Sequence, residues 1–259
     1  MTSPGLIDSH CHLDIVEPDS GKIPILLQEC RDRGIDHLIH ISTSRERFLA
    51  VVPLVQEWPK LLSITLGLMP GKDIKLIDHK FIRIIEEKQI CAIGEIGLDY
   101  YRGANTQREQ IALLECQCSL AMEYDLPVVL HNRDADADLL AVLSSFSGLQ
   151  GVFHCFTGDR KMAEKVLEAG FHISFSGIVT FRNAEAIQDA AGIVPADRIL
   201  VETDAPYLAP VPVRGTPNRP WFISYTAHYL ATLRREDPEE FIGQTAKNTR
   251  RLFRLREAG

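Results

Sequence analysis

The chain has no apolar run near the roughly 20 residues that a bilayer-spanning helix needs, so no membrane association is expected. It has no basic excess either: 28 Lys and Arg stand against 35 Asp and Glu, a net charge of −7. Proteins that grip long duplexes by counterion release usually show the opposite balance, so an anionic substrate here must be held by local cations. The six cysteines, Cys11, Cys30, Cys91, Cys116, Cys118 and Cys155, contain no C-x-x-C pair. The N-terminus runs straight into a strand-like segment and offers no export signal. Free thiols in a reducing cytosol, and a cytoplasmic location, are the expectation. Linkers, repeats and charged tails are also missing, which predicts one domain over 1–259. A chain of 259 residues can bury a large core unaided, so a bound metal would serve chemistry and not folding.

What is present is an alternation. Short apolar, β-branched runs occur at "LIDSH", His37–Ser42, Leu61–Leu68, Ile90–Leu98, Leu126–Arg133, Gly151–Phe156, Phe171–Val179 and Ile199–Pro206. Amphipathic stretches separate them. Ile23, Leu26, Leu27 and Cys30 follow helical spacing, closed by Gly34. Thr106-x-x-Glu109 has the form of a capping box. Another helix starts at Asp159 and ends at Gly170. Asp134, Asp136 and Asp138 fall in a predicted first helical turn, where the helix dipole favours acids over any need for a metal. Eight β/α units without a linker predict a (β/α)8 TIM barrel, an α/β fold whose active site lies at the C-terminal strand ends. A doubly wound open sheet is the alternative; polar residues recurring at so many strand ends favour the barrel.

Those ends carry His10 and His12, then Glu95, His131 with Arg133, His154, and Asp204. Residues i and i+2 of a strand share a face, so His10 and His12 are expected side by side, as are His131 and Arg133, with Cys11 turned away into packing. One such histidine alone is usually structural. A glutamate ending an apolar strand is costly to bury unpartnered. Four imidazoles and two carboxylates suit Zn²⁺ or a related transition metal better than Ca²⁺. Six donors exceed what one open catalytic zinc takes, and fit two ions with a bridging carboxylate.

The stretches "DSHCHLD", "IGEIGLDYY", "LPVVLHNRDA", "FHCFTG", "VETDAPYLAPVPVRGTPNRP" and "KNTRRLF" resemble the TatD family of metal-dependent deoxyribonucleases, within the amidohydrolase-type barrels. The resemblance spans nearly the whole chain. It implies that His10, His12 and Asp204 hold one divalent ion, that His131 and His154 hold the other, and that Glu95 bridges them; Zn, Mn, Fe and Mg all remain open. Two ions about 3.5–4 Å apart can clamp a phosphodiester and activate water, with Asp204 as the proton shuttle. The family implies DNA as partner, trimmed at single-stranded 3′ ends. Arg133, Arg214, Asn218 and Arg219 are expected to receive phosphates, since guanidinium forks match phosphate oxygens. Tyr100, or its neighbour Tyr101, would stack a base.

One departure stands out. Many relatives place a histidine in a G-x-H-P stretch after strand three, where this chain has Met69. That histidine is not among the six donors, so its loss bears on rate and substrate preference. Two other readings remain. One is an amidohydrolase or lactonase on the same scaffold, against which Glu95 stands where many such enzymes use a carbamylated lysine. The other is a non-catalytic partner-binding barrel, against which the intact donor set argues.

Overall fold

A computed structural model describes residues 5–87, 89–103 and 107–255. Eight parallel strands form one sheet in chain order: β1 (Leu6–Cys11), β2 (Ile35–Ser42), β3 (Leu62–Leu66), β4 (Ile93–Asp99), β5 (Val128–Arg133), β6 (Gly151–Phe153), β7 (His172–Phe175) and β8 (Ile199–Val201). The sheet curls round on itself. Cys11 bridges Ala205, the His12 amide donates to the Ala205 carbonyl at 2.9 Å, and the Asp204 amide donates to the His10 carbonyl at 2.9 Å. The main helices are α1 (Ile23–Asp32), α2 (Arg45–Glu57), α3 (His79–Glu86), α4 (Gln107–Glu123), α5 (Asp136–Ser144), α6 (Arg160–Glu168), α7 (Glu185–Ile193), α8 (Ile223–Arg234) and α9 (Pro238–Phe253). The expected barrel is therefore the observed one.

Two apolar layers hold it. Ile39, Ile41, Ala92, Val129, Val152 and Leu200 pack together with Leu252 and Phe253 from the end of α9. These last two also border clefts at the N-terminal strand ends, so α9 stoppers the barrel on the side away from the polar strand ends. Outside the sheet, Leu38 and Ile64 belong to a larger cluster with Leu27, Phe48, Phe81 and Leu114 of the helices. Each fully buried side chain of this size contributes roughly 1.5–3 kcal/mol.

The local signals act as their chemistry dictates. Ile23, Leu26, Leu27 and Cys30 are the buried face of α1, and Gly34 takes the left-handed φ of +82° that ends it. The Asp159 carboxylate caps α6 by accepting from the Met162 amide at 2.9 Å. Thr106 lies outside the described residues. In the first turn of α5 stand Asp136 and Asp138 only; Asp134 precedes it with φ +55°.

Candidate active site

Six side chains from five strand ends converge. His10 lies in β1, and His12 sits just past it as the residue before a one-turn helix, Leu13–Val16. Glu95 is in β4 and His131 in β5. His154 and Asp204 each follow a strand by one and three residues, at β6 and β8. The Nε2 atoms of His10 and His12 are 3.4 Å apart. Asp204 Oδ1 lies 3.4 Å from His12 Nε2 and 3.6 Å from His10 Nε2. Glu95 Oε1 is 2.9 Å from both His131 Nδ1 and His154 Nε2, while its Oε2 is 3.6 Å from His10 Nε2. The rings of His10 and His154 stack at 4.0 Å. The close groupings overlap: His10, His12 and Glu95; His10, His154 and Asp204; Glu95, His131 and His154. The cluster is thus more compact than two separate ligand sets.

Backbone shape makes this convergence possible. Gly97 has φ +144°, and a Cβ there would lie 1.9 Å from the His131 carbonyl oxygen, so only glycine lets β4 run so close to β5. Gly67 is pressed the same way against the Gly94–Glu95 backbone, where a Cβ would meet Gly94 C at 2.6 Å. Asp204 holds a left-handed φ of +55°, a conformation that costs a non-glycine residue of order 1–3 kcal/mol.

An outer layer of acceptors orients the rings. His12 Nδ1 donates to the Ile41 carbonyl at 3.1 Å. His131 Nε2 faces Asp99 Oδ2 at 3.2 Å, and His154 Nδ1 faces Glu202 Oε1 at 3.4 Å. Each acceptor fixes the proton on the outer nitrogen and turns the inner lone pair towards the cluster, as metal-ligating histidines require. The Asp99 carboxylate is itself held, since its Oδ1 accepts from the Arg102 amide at 2.9 Å. Asp8, fully buried, accepts from the Thr203 hydroxyl at 2.5 Å and from the Thr203 and His10 amides, tying β1 to β8 directly beneath the donors. The sequence places Asp8 in line with His10 and His12 but assigns it no role, and Glu202 is not among the expected site residues. The usable signal was a carboxylate two residues before a candidate donor, Glu202 before Asp204 in "VETD" and Asp8 before His10 in "IDSH".

The donor set fits divalent cations. With the outer nitrogens protonated, inner lone pairs of His131 and His154 point at a carboxylate oxygen 2.9 Å away. That contact is repulsive unless a positive charge sits between them. Burial disfavours charge on His154, yet Glu95 and Glu202 beside it hold its pKa well above the usual imidazole range. Burial would likewise raise Glu95, but the imidazoles, His154 foremost, hold it well below the carboxylate range. A proton fills the place a cation would take, and the two compete. Burial and the neighbouring His154 push His10 well down, leaving its lone pair free.

The expected substrate residues divide. Arg133 is exposed, its guanidinium 4.0 Å over the Tyr101 ring. Arg214 lies 4.2 Å over Phe181, and Arg219 6.0 Å over Trp221. Two expectations are corrected. Tyr100 is half-buried against the core and its hydroxyl donates to Asp138 at 2.7 Å, so it is not a free stacking face; Tyr101, 68% exposed, is. Asn218 is fully buried, its Nδ2 donating to the Thr203 and Tyr207 carbonyls at 2.9 and 2.6 Å and its Oδ1 accepting from the Arg219 amide. It braces the loop and has nothing left for a phosphate. Met69 is half-buried beyond β3, and the six donors come together without it.

A protein-family model described as TatD related DNase matches residues 7–254. The chain is 40% identical over 255 residues to the metal-dependent hydrolase YcfH of Escherichia coli, with 96% of each chain covered. It is 31% identical over 255 residues to the metal-dependent hydrolase YabD of Bacillus subtilis, covering 96% of this chain and 99% of that one. The crystal structure of the TatD homologue YJJV from Escherichia coli superposes with a TM-score of 0.87 at 32% identity, over 99% of this chain and 100% of the other. An organophosphorus hydrolase from Deinococcus radiodurans reaches a TM-score of 0.64 at 15% identity over 97% and 93% of the two chains, a likeness of fold alone. Among the described residues no helix is long and apolar enough to cross a membrane.

Proposed function

The chain belongs to the TatD-related DNase family and is a hydrolase, and on that premise we propose that it is a two-metal phosphodiesterase that trims DNA from single-stranded 3′ ends. The observation that carries this reading is the position of Glu95. One carboxylate, 4% exposed, reaches His131 and His154 with Oε1 and His10 with Oε2, as a bridging ligand must. His10, His12 and Asp204 would complete one site, and His131 and His154 the other. Divalent cations there, Zn, Mn, Fe or Mg, supply Lewis acidity and lower the pKa of water from about 15.7 towards 7.

The protein's own groups do the rest. Asp204 is the proton acceptor: its carboxylate is more exposed than that of Glu95, 14% against 5%, so it can meet incoming water while facing the cluster. Asp99 and Glu202 keep His131 and His154 in the ligating tautomer. Arg133 and Arg214 offer guanidinium groups to a bound strand, since each is stacked on an aromatic ring and, among the described residues, neither is locked in a carboxylate fork; Arg219, half-buried and 6.0 Å from Trp221, is the weaker candidate.

The test is to load the protein separately with Zn²⁺, Mn²⁺, Fe²⁺ and Mg²⁺, measure bound metal by elemental analysis, and incubate it with end-labelled single strands. Stepwise loss of 3′ nucleotides with about two ions bound is expected. An endonucleolytic ladder overturns the exonuclease reading. Cleavage of lactones or cyclic amides, with no phosphodiester cleaved in any metal, overturns the substrate class.

A further inference from the structure

Resting on the phosphodiesterase reading, we propose that Tyr207 and Tyr101 are stacking platforms on opposite sides of the donor cluster, so that the substrate is a strand with unpaired bases flanking the cleaved phosphate. Tyr207 follows β8 and is 51% exposed; Tyr101 follows β4 and is 68% exposed. In a closed ring of eight strands in chain order, β4 and β8 are half the circumference apart. The Tyr207 ring meets His12 edge-on with centroids 6.2 Å apart. On the other side, Tyr101 is covered by Arg133, two residues beyond His131. Tyr207 thus borders the cluster directly, and Tyr101 stands across the mouth from it, reached from His131 through Arg133.

Exposed tyrosines are ordinary on protein surfaces. The support beneath Tyr207 is not. Its amide donates to the Asp204 carbonyl at 2.9 Å, and its carbonyl accepts from the side chain of the fully buried Asn218 at 2.6 Å. A proton-accepting carboxylate and an outward-facing ring are therefore carried on one braced turn. The main chain that carries the ring is fixed at both its amide and its carbonyl, so little backbone freedom is lost when the ring binds, a condition under which stacking adds affinity. On the Tyr101 side, Arg133 lies over one face of the ring; the opposite face is left for a base, and the guanidinium for the adjacent phosphate. Base–aromatic stacking needs only a π-face and tolerates any sequence, and two rings on opposite sides of one phosphate can be met only by neighbouring bases that have left each other's stack, which a continuous duplex does not allow.

The test crosses protein and substrate. Wild type, Tyr207→Ala, Tyr207→Phe, Tyr101→Ala and Tyr101→Phe are assayed on 3′-end oligonucleotides, intact or carrying an abasic residue at the last or next-to-last position. Bound metal and melting temperature are measured for each. Each alanine variant is expected to raise KM on the order of tenfold on intact strands, with kcat and metal content nearly unchanged. Its penalty vanishes when the abasic residue removes the base it would stack, and phenylalanine restores wild-type KM. An alanine penalty of the same size on intact and abasic strands, or none on either, overturns the proposal while leaving the phosphodiesterase intact. A protein that cleaves no oligonucleotide removes the underlying reading, and this inference with it.

Discussion

Asp204 and Glu202 stand two residues apart and have opposite duties. Asp204 reaches into the cluster, with Oδ1 within 3.6 Å of two imidazoles. Asn at 204 keeps one ligating oxygen and removes the proton acceptor. We expect Asp204→Asn to lower kcat on the order of 10²–10⁴-fold, the usual worth of a general base, with metal content nearly unchanged by elemental analysis; loss of both in parallel would make Asp204 a ligand only. Glu202 is fully buried and faces the outer nitrogen of His154. Burial raises its pKa, against the opposing pull of the His154 ring and the Ser174 hydroxyl. Its cost is offset chiefly by positive charge on or behind His154, the largest stabilising influence on it. Glu202→Gln keeps the volume and removes the charge, and should weaken metal affinity about 10–100-fold, as loss of such outer partners does. Chelator competition measures it, and unchanged affinity would reduce Glu202 to packing.

At the scale of strands and helices, the barrel was legible because buried parallel strands read as continuous apolar runs. All eight runs mark real strands. The C-terminal limits at Ser42 and Arg133 are met; those of the last three runs are not. Gly151–Phe156 and Ile199–Pro206 shrink to Gly151–Phe153 and Ile199–Val201, because the chain turns left-handed at Cys155 and Asp204, with φ +43° and +55°. Phe171–Val179 likewise stops at Phe175 before a 3₁₀ turn. The donors could still be picked out, since hydropathy falls where the ladder ends. Solvent access is not written in local sequence: Tyr100 and Tyr101 are adjacent and alike, and only the packing of α5 against β5 decides which hydroxyl meets Asp138. Asn218 was misread for the same reason, as loop composition does not reveal burial. Glycine spacing carries the sharpest test at this scale. A Cβ at Gly97 meets backbone that cannot move without His131. Gly97→Ala should therefore lower Tm by several degrees, consistent with more than about 1 kcal/mol for a forced backbone clash, and weaken metal retention with it. A folded Gly97→Ala protein with unchanged Tm and metal content would show that β4 and β5 can part without cost.

Over the whole molecule, charge limits how nucleic acid can be held. A net charge of −7 repels a polyanion at long range, so attraction must be concentrated at the mouth. There Arg133 and Arg214 lie over aromatic rings, while Arg47 is tied to Asp14 at 2.9 Å and Arg45 to Asp78 at 2.8 Å; Arg219 shares Trp221 with Arg33 from the end of α1. Arg133 and Arg214 are the cations this reading assigns to the bound terminus, and a terminus offers only a few phosphates to meet. For single strands, the slope of log K against log salt is roughly −0.7 per phosphate neutralised, so two or three contacts give about −1.4 to −2.1. We expect this shallow slope for 1/KM, and the same slope for a short strand as for a long one, because only the terminus is gripped. Replacing Arg133 with Gln should flatten it by roughly 0.7. A slope steeper than about −4, growing with strand length, would instead mark a groove that follows the backbone over many nucleotides. That outcome would place binding on a surface away from the strand ends, and the acidic balance of the chain would then need a different explanation.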